Sequence, residues 1–129
     1  MDKTILETFE NPGDQDYLIN IELPEFTSRC PITGNPDFAA IVVTYIPDKK
    51  CVELKSLKKF IQSYRDDGVF HEAVANQIFS VLSELLEPKY LRVIGDFNRR
   101  GNVKTVVTVQ KKFSEFNDVD IPDYTPRMI

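Results

Sequence analysis

The chain has 129 residues, with 20 acidic and 16 Lys or Arg side chains and a net charge of -4. That length suits one domain with a real core, and 42% hydrophobic with 28% charged residues excludes a disordered chain. The acidic balance argues against nucleic acid as a partner, and no apolar run approaches the ~18 residues that span a bilayer, which argues against a membrane partner.

Residues 1–15 are polar and end in the turn signal Asn11-Pro12-Gly13-Asp14, so they read as an N-terminal arm. Met1 to Glu7 holds acids and no long apolar stretch, and no secretory signal is expected. Two cysteines, Cys30 and Cys51, lack metal-type spacing. Free thiols in a reducing, cytoplasmic compartment are the expectation. In residues 17–23, Tyr17, Ile19, Ile21 and Leu23 alternate onto one face, which predicts a strand ended by Pro24. Pro31, Gly34 and Pro36 then make residues 26–37 an irregular loop. Residues 38–46 are β-branched and apolar on both faces, as in a buried strand.

Leu54, Leu57, Ile61 and Tyr64 recur at helical spacing and predict a helix over 54–66, with Gly68 as its stop. Val74, Ile78, Val81, Leu82 and Leu85 predict a second helix over 70–86, ended near Pro88. Strands follow at 90–97 and 103–111, joined by a hairpin loop at 98–102. The expected order is β-β-α-α-β-β in an α+β domain spanning 16–112, an antiparallel sheet with both helices on one face. Residues 113–129 hold Pro122 and Pro126, show no period and read as an irregular tail. Such a sheet leaves two open edges, which invite pairing between copies and closure into a ring.

Chemistry concentrates in the loop at 26–37. Cys30 and Asp37 sit there together, with Arg29 adjacent to the thiol. A thiol titrates near 8.5 and needs help to become a thiolate. A thiolate beside a carboxylic acid suits addition to a polar multiple bond. The spacing leaves two readings open: a catalytic pair, or an inert loop cysteine with a turn aspartate. Cys51 has no partner at motif spacing and reads as a small hydrophobe. Lys49, Lys50, Lys55, Lys58 and Lys59 fall within eleven residues. They make either a solvated helix face or a phosphate site. His71 is the only histidine, too few for a three-ligand catalytic zinc, so no metal is expected. Glu72 beside it either favours the helix dipole or accepts paired N–H groups from a purine-like ring.

These pieces together resemble one family. Phe26-Thr-Ser-Arg-Cys-Pro-Ile-Thr-Gly-Asn-Pro-Asp37 is similar to the active-site loop of the 7-cyano-7-deazaguanine (preQ0) reductases of queuosine biosynthesis. Cys51-Val-Glu-Leu-Lys-Ser-Leu-Lys-Lys-Phe60 looks like their Glu-(Ser/Leu)-Lys-(Ser/Ala)-x-Lys signature, and Gly68-Val-Phe-His-Glu72 is similar to a third block. The resemblance runs from Tyr17 to Gly101 and is to the short, single-module type. It implies the tunnelling fold, pentameric rings that stack in pairs as decamers, and sites between subunits.

It also implies a reaction. Cys30 adds to the nitrile carbon and forms a thioimide, with Asp37 as proton donor. Hydride from NADPH gives a thiohemiaminal, Cys30 leaves, and a second NADPH yields the aminomethyl product preQ1. His71 is implied as an assistant to proton movement, Glu72 as the grip on the deazaguanine, and Val52, Glu53 and Leu54 as substrate-lining. Lys55, Ser56, Lys58 and Lys59 are implied to meet NADPH. Leu54 departs from the Ser of many members, and Asn102 from a second Gly, which leaves Arg99 and Arg100 without an assigned cofactor role. Two rivals remain: a zinc-dependent pterin enzyme of the same fold, like GTP cyclohydrolase, and a non-catalytic purine-binding ring.

Overall fold

The computed structural model describes residues 1–129. In chain order the elements are β1 (Thr8–Glu10), β2 (Ile19–Arg29), β3 (Pro36–Ile46), β4 (Lys50–Val52), α1 (Leu54–Gln62), α2 (His71–Leu86), β5 (Tyr90–Arg100) and β6 (Val103–Lys112). The main sheet is antiparallel with strand order β2-β3-β5-β6. Its elements follow the expected β-β-α-α-β-β order, and both helices pack on one face.

The two central strands are buried along most of their length because both of their faces are covered. On the helix side, Ala39, Ile41, Val43 and Tyr45 of β3 and Leu91, Val93 and Phe97 of β5 meet Leu57, Phe60 and Ile61 of α1 and Val74, Ile78, Leu82 and Leu86 of α2. Burying one such leucine fully stabilises by about 1.5–3 kcal/mol. Phe26 joins this core and packs against Tyr64 and Phe97 at ring distances of 5.4 and 6.0 Å. No helix is long and apolar enough to cross a membrane.

Several boundaries differ from the sequence reading. Pro24 does not end β2, which continues to Arg29. Leu23 pairs with Ile41 and Phe26 with Ala39, so β2 carries one extra residue at a bulge. A bulge accepts a proline because the ladder is already broken there. The segment 26–37 is therefore a hairpin whose irregular part is only Cys30–Asn35. The loop expected at 98–102 also tightens. β5 runs on through a second bulge, with Phe97 opposite Thr105 and Arg100 opposite Val103. Gly101 and Asn102 make the turn with φ of 59° and 69°, the positive values a two-residue type I′ hairpin needs.

α1 stops at Gln62 rather than 66. Glu53 caps it, its carboxylate accepting from the Lys55 and Ser56 N–H groups at 2.7 and 2.8 Å. Beyond Gln62 the winding tightens, with Tyr64 bonded to Ile61 and Arg65 to Gln62 in i→i−3 fashion. Tyr64 keeps its core position from this turn, while Leu54 faces solvent. Gly68 does not stop the helix; its segment bridges to Arg29. α2 matches expectation and closes on Glu87, left-handed at φ 46°.

The first fifteen residues are not a free arm. β1 pairs with β4 in a two-stranded ribbon, and the Glu7 N–H donates to Ser56 Oγ at 3.0 Å. Residues beyond Lys112 form no helix or strand, yet they lie across the sheet face opposite the helices. Asp96, fully buried, is their anchor. It receives Lys104, the Tyr124 hydroxyl and, at 2.8 Å, the Arg127 N–H. Arg92 donates to Pro122 O at 2.7 Å.

Burial alone would raise the Asp96 pKa, but the hydrogen bonds from Lys104, Tyr124 and the Arg127 amide outweigh it and hold the carboxyl below its ordinary value. A carboxylate depressed in the folded state stabilises fully above its unfolded pKa of ~3.9 and loses that contribution as pH falls further. Asp96→Ala is expected to cost roughly 3 kcal/mol, because it takes the carboxylate from the partly buried Lys104 and Arg127 and the acceptor from the Tyr124 hydroxyl. A lower urea midpoint at pH 7 and a weaker dependence of that midpoint on pH below ~4 are the expected readings.

Candidate active site

The alternation of β2 decides where Cys30 points. Without the bulge at Pro24-Glu25, Phe26, Ser28 and Cys30 would face away from the helices. The extra residue reverses the parity, and all three are buried while Thr27 and Arg29 are more open. Ser28 pairs across the ladder with Asp37, which begins the same face on β3. Cys30 and Asp37 thereby line one pocket of about 330 Å³. His71 and Glu72 reach it from the first turn of α2, and Ile32, Phe70, Arg100, Val103 and Thr105 also line it.

The Asp37 carboxylate is only 4% exposed. One oxygen lies 2.9 Å from Arg100 Nη1 and the other 3.3 Å from His71 Nε2. The His71 ring is stacked on Phe97 at 3.8 Å between centroids and 7° between planes. Phe97 is fully buried in the core, so this contact sets the imidazole plane. α2 has no side-chain cap at Phe70, and the positive end of the helix opens toward the pocket.

The Cys30 thiol is lowered to about 6. The largest cause is the backbone N–H of Thr33, followed by the Thr33 hydroxyl, the Ile32 N–H and the Arg100 guanidinium; burial acts weakly the other way. The turn supplies these donors. Cys30 N–H donates to Asn35 O at 2.8 Å and Gly34 N–H to Cys30 O at 2.9 Å, with Gly34 at φ 75°. The backbone is thus folded around the sulfur. Above pH ~6 the thiolate is the dominant form, which is the nucleophilic one.

Arg29 is not the residue that faces the thiol. Its guanidinium donates to Gly34 O at 3.1 Å and pairs with Asp66 at 3.4 Å, outside the pocket. Arg100 takes that place. Sequence spacing did not reveal it, because a plain alternation along β5 turns Arg100 away from Phe97. Two further signals in the sequence do mark it: the Gly101-Asn102 turn, and the odd count of residues between Phe97 and that turn.

The segment at 52–59 lines no part of this pocket within the chain. Val52 and Ser56 are buried, and Ser56 Oγ donates to Glu53 O at 2.8 Å. The Glu53 carboxylate is held below its ordinary value by the Lys55 and Ser56 amides it caps. Leu54, Lys55, Lys58 and Lys59 are exposed. Cys51 is buried on β4, its sulfur 3.7 Å from the Tyr17 hydroxyl. No three His, Cys, Asp or Glu side chains converge as metal ligands, so the donor set fits no three-ligand zinc.

Together the sheet, the paired helices and this pocket define a class: a tunnelling-fold unit with an activated cysteine beside a carboxylate–imidazole pair. A family model described as QueF-like protein matches residues 36–115. The chain is 54% identical over 110 residues to an NADPH-dependent 7-cyano-7-deazaguanine reductase of Nitrosospira multiformis, covering 84% of this chain and 79% of the relative. An aligned span of that length cannot miss Cys30. Reductases of the same name from Nitrosococcus oceani and Aquifex aeolicus are 53% and 50% identical, covering 81% and 85% of this chain and 82% and 86% of theirs. Among solved structures, the apo form of an archaeosine synthase QueF-Like aligns at a TM-score of 0.68 and 25% identity, over 72% of this chain and 91% of that one. The chain belongs to the QueF-like family.

Alkylation of Cys30 by iodoacetamide should rise with pH around a midpoint near 6. Thr33→Val removes the hydroxyl donor and keeps the amide. Its midpoint is expected to move up, by less than the full distance to the ordinary thiol value of ~8.5. Peptide mapping of the labelled cysteine against pH reads both values, and an unmoved midpoint would contradict the assigned cause.

Proposed function

We infer that this chain reduces the nitrile of 7-cyano-7-deazaguanine (preQ0) to the primary amine of preQ1, as an NADPH-dependent oxidoreductase. The observation that carries this reading is a cysteine lowered to about 6 in one pocket with Asp37 and His71, in a chain half-identical to reductases of that name. A non-catalytic purine-binding ring has no use for such a thiolate.

The reaction follows from the groups present. The Cys30 thiolate adds to the nitrile carbon, and the π pair passes to nitrogen. That nitrogen needs a proton at once, and the Asp37–His71 pair, 3.3 Å apart, stands on the same wall to supply it. Asp37 is the proposed donor and His71 the proposed assistant. Glu72 is exposed at the pocket mouth, free to accept paired N–H groups from the base. Each of the two reductions consumes a hydride, which NADPH supplies when bound.

The pocket has room for a bicyclic base but not for a dinucleotide beside it. The bulk of NADPH therefore lies outside, and phosphates suit the exposed Lys55, Lys58 and Lys59. The capped helix start offers them no free amides, because Glu53 already accepts those. Ser56, Val52 and Glu53 support this segment from within, and Leu54 is left as its exposed apolar contact. These residues belong to a site completed by a second copy. Both edge strands, β2 and β6, are long, and each leaves its outer edge unpaired within the chain. A pentameric ring, stacked in pairs as a decamer, closes these edges and brings a neighbour's α1 to the Cys30 pocket. A cytoplasmic site of action accords with a role in queuosine tRNA modification.

Incubation with preQ0 alone is expected to raise the intact mass by one substrate, at Cys30, and Cys30→Ala should abolish the increase. With cofactor, two NADPH should be oxidised per preQ1 formed; a ratio of one contradicts the four-electron reduction. Native mass spectrometry should find multiples of five of the 14.9 kDa chain, and a fully active monomer would overturn the shared site.

A further inference from the structure

Arg100 holds a place that the nitrile chemistry above does not use. Its guanidinium lies 2.9 Å from the Asp37 carboxylate and shares the pocket with Cys30, whose thiol it helps to hold below its ordinary value. It is the only lysine or arginine among the residues lining the pocket. A bulge puts it there. Phe97 and Arg100 pair with Thr105 and Val103, two residues apart on β6 but three apart on β5. The extra residue turns Arg100 onto the face of Phe97 and sends Arg99 to the opposite side, where it donates to Met128 O at 2.6 Å. Neighbours in sequence thus serve different faces of the sheet.

We propose that Arg100 is the positioning residue of the nitrile-reducing site, holding the Cys30 thiolate and the Asp37 carboxylate side by side through one shared cation. This rests on the reading of Cys30 as the nucleophile. Two anions on one wall repel, and the repulsion rotates one side chain away or protonates one group. A guanidinium paired with Asp37 in the same pocket removes that cost, and its fork leaves further N–H donors for the sulfur. The arrangement also fits the charge movement of the first step. As sulfur bonds to the nitrile carbon, its negative charge passes to the nitrile nitrogen, which takes through Asp37 the one proton that Asp37 and His71 share, leaving His71 neutral and Asp37 a carboxylate. The sulfur then no longer needs the cation, and Arg100 pairs with Asp37 alone. The charged and titratable groups that face Cys30 are Asp37 from β3, His71 and Glu72 from α2, and Arg100 from β5.

The test compares Arg100→Met and Arg100→Lys with the wild type, each checked for folding by circular dichroism and native mass. Adduct formation from preQ0 without cofactor isolates the cysteine step from any NADPH contact. Arg100→Met is expected to slow it about tenfold at pH 6.5 and to move the Cys30 alkylation midpoint upward. Arg100→Lys should restore part of the rate, since it keeps the charge and loses the fork. The KM for NADPH should stay within about twofold of wild type. Wild-type adduct rates and an unmoved midpoint in both variants, with a raised KM for NADPH, would place Arg100 on the cofactor and overturn the proposal. If Arg100→Met does not fold, an Arg100→Lys variant with unchanged alkylation and adduct formation at every pH has the same consequence. Absence of any wild-type adduct defeats the reductase reading instead, and the alkylation midpoints still decide the role of Arg100.

Discussion

Side chains on a β-strand alternate faces, so one inserted residue reverses the facing of everything that follows it. The site depends on two such insertions. The bulge at Pro24-Glu25 turns Phe26 into the core and Cys30 into the pocket, and the bulge before Arg100 brings a cation onto the same face. Asp37 needs no correction, because it shares the parity of Ala39, Ile41, Val43 and Tyr45. Three strands thus deliver a thiol, a carboxylate and a guanidinium to one wall. Removing either extra residue leaves the composition of the sheet intact and dismantles the pocket.

The groups on that wall are held from behind by parts of the core. Phe97 carries the His71 ring, and His71 orients one Asp37 oxygen. The turn after Cys30 supplies amide donors to the sulfur, while Arg29 ties that turn to Gly34 O from outside. Reactivity at Cys30 is therefore a backbone property first and a side-chain property second. This differs from the simpler expectation of a neighbouring arginine charge.

The opposite face of the sheet is a separate construction. A buried carboxylate, Asp96, gathers Lys104 and the segment around Tyr124 and Arg127, so residues without helix or strand still cover the central strands. The outward faces of β3 and β5, with Ala40, Val42, Ile46 and Ile94 among their buried residues, gain their cover this way. The open edges of β2 and β6 are a second demand that one chain does not meet, and the proposed ring would answer it.

Much was legible in the sequence by itself. Helical periodicity located α2 closely, β-branched runs marked β3, and the ordered motifs around Cys30, Glu53 and His71-Glu72 indicated the chemistry. These are signals between near neighbours, and spacing reports them faithfully. Side-chain parity beyond a bulge is different, because the register is settled by the partner strand. For that reason Pro24 read as a strand end, Arg29 read as the thiol's helper, and Arg100 went unassigned. The capping role of Glu53 and the docking of Ser56 against Glu7 likewise involve backbone groups that no motif names. Sequence determined which residues are candidates for the reaction; tertiary structure alone decided which of them meet, because the bulges and the packed core set the direction of each side chain.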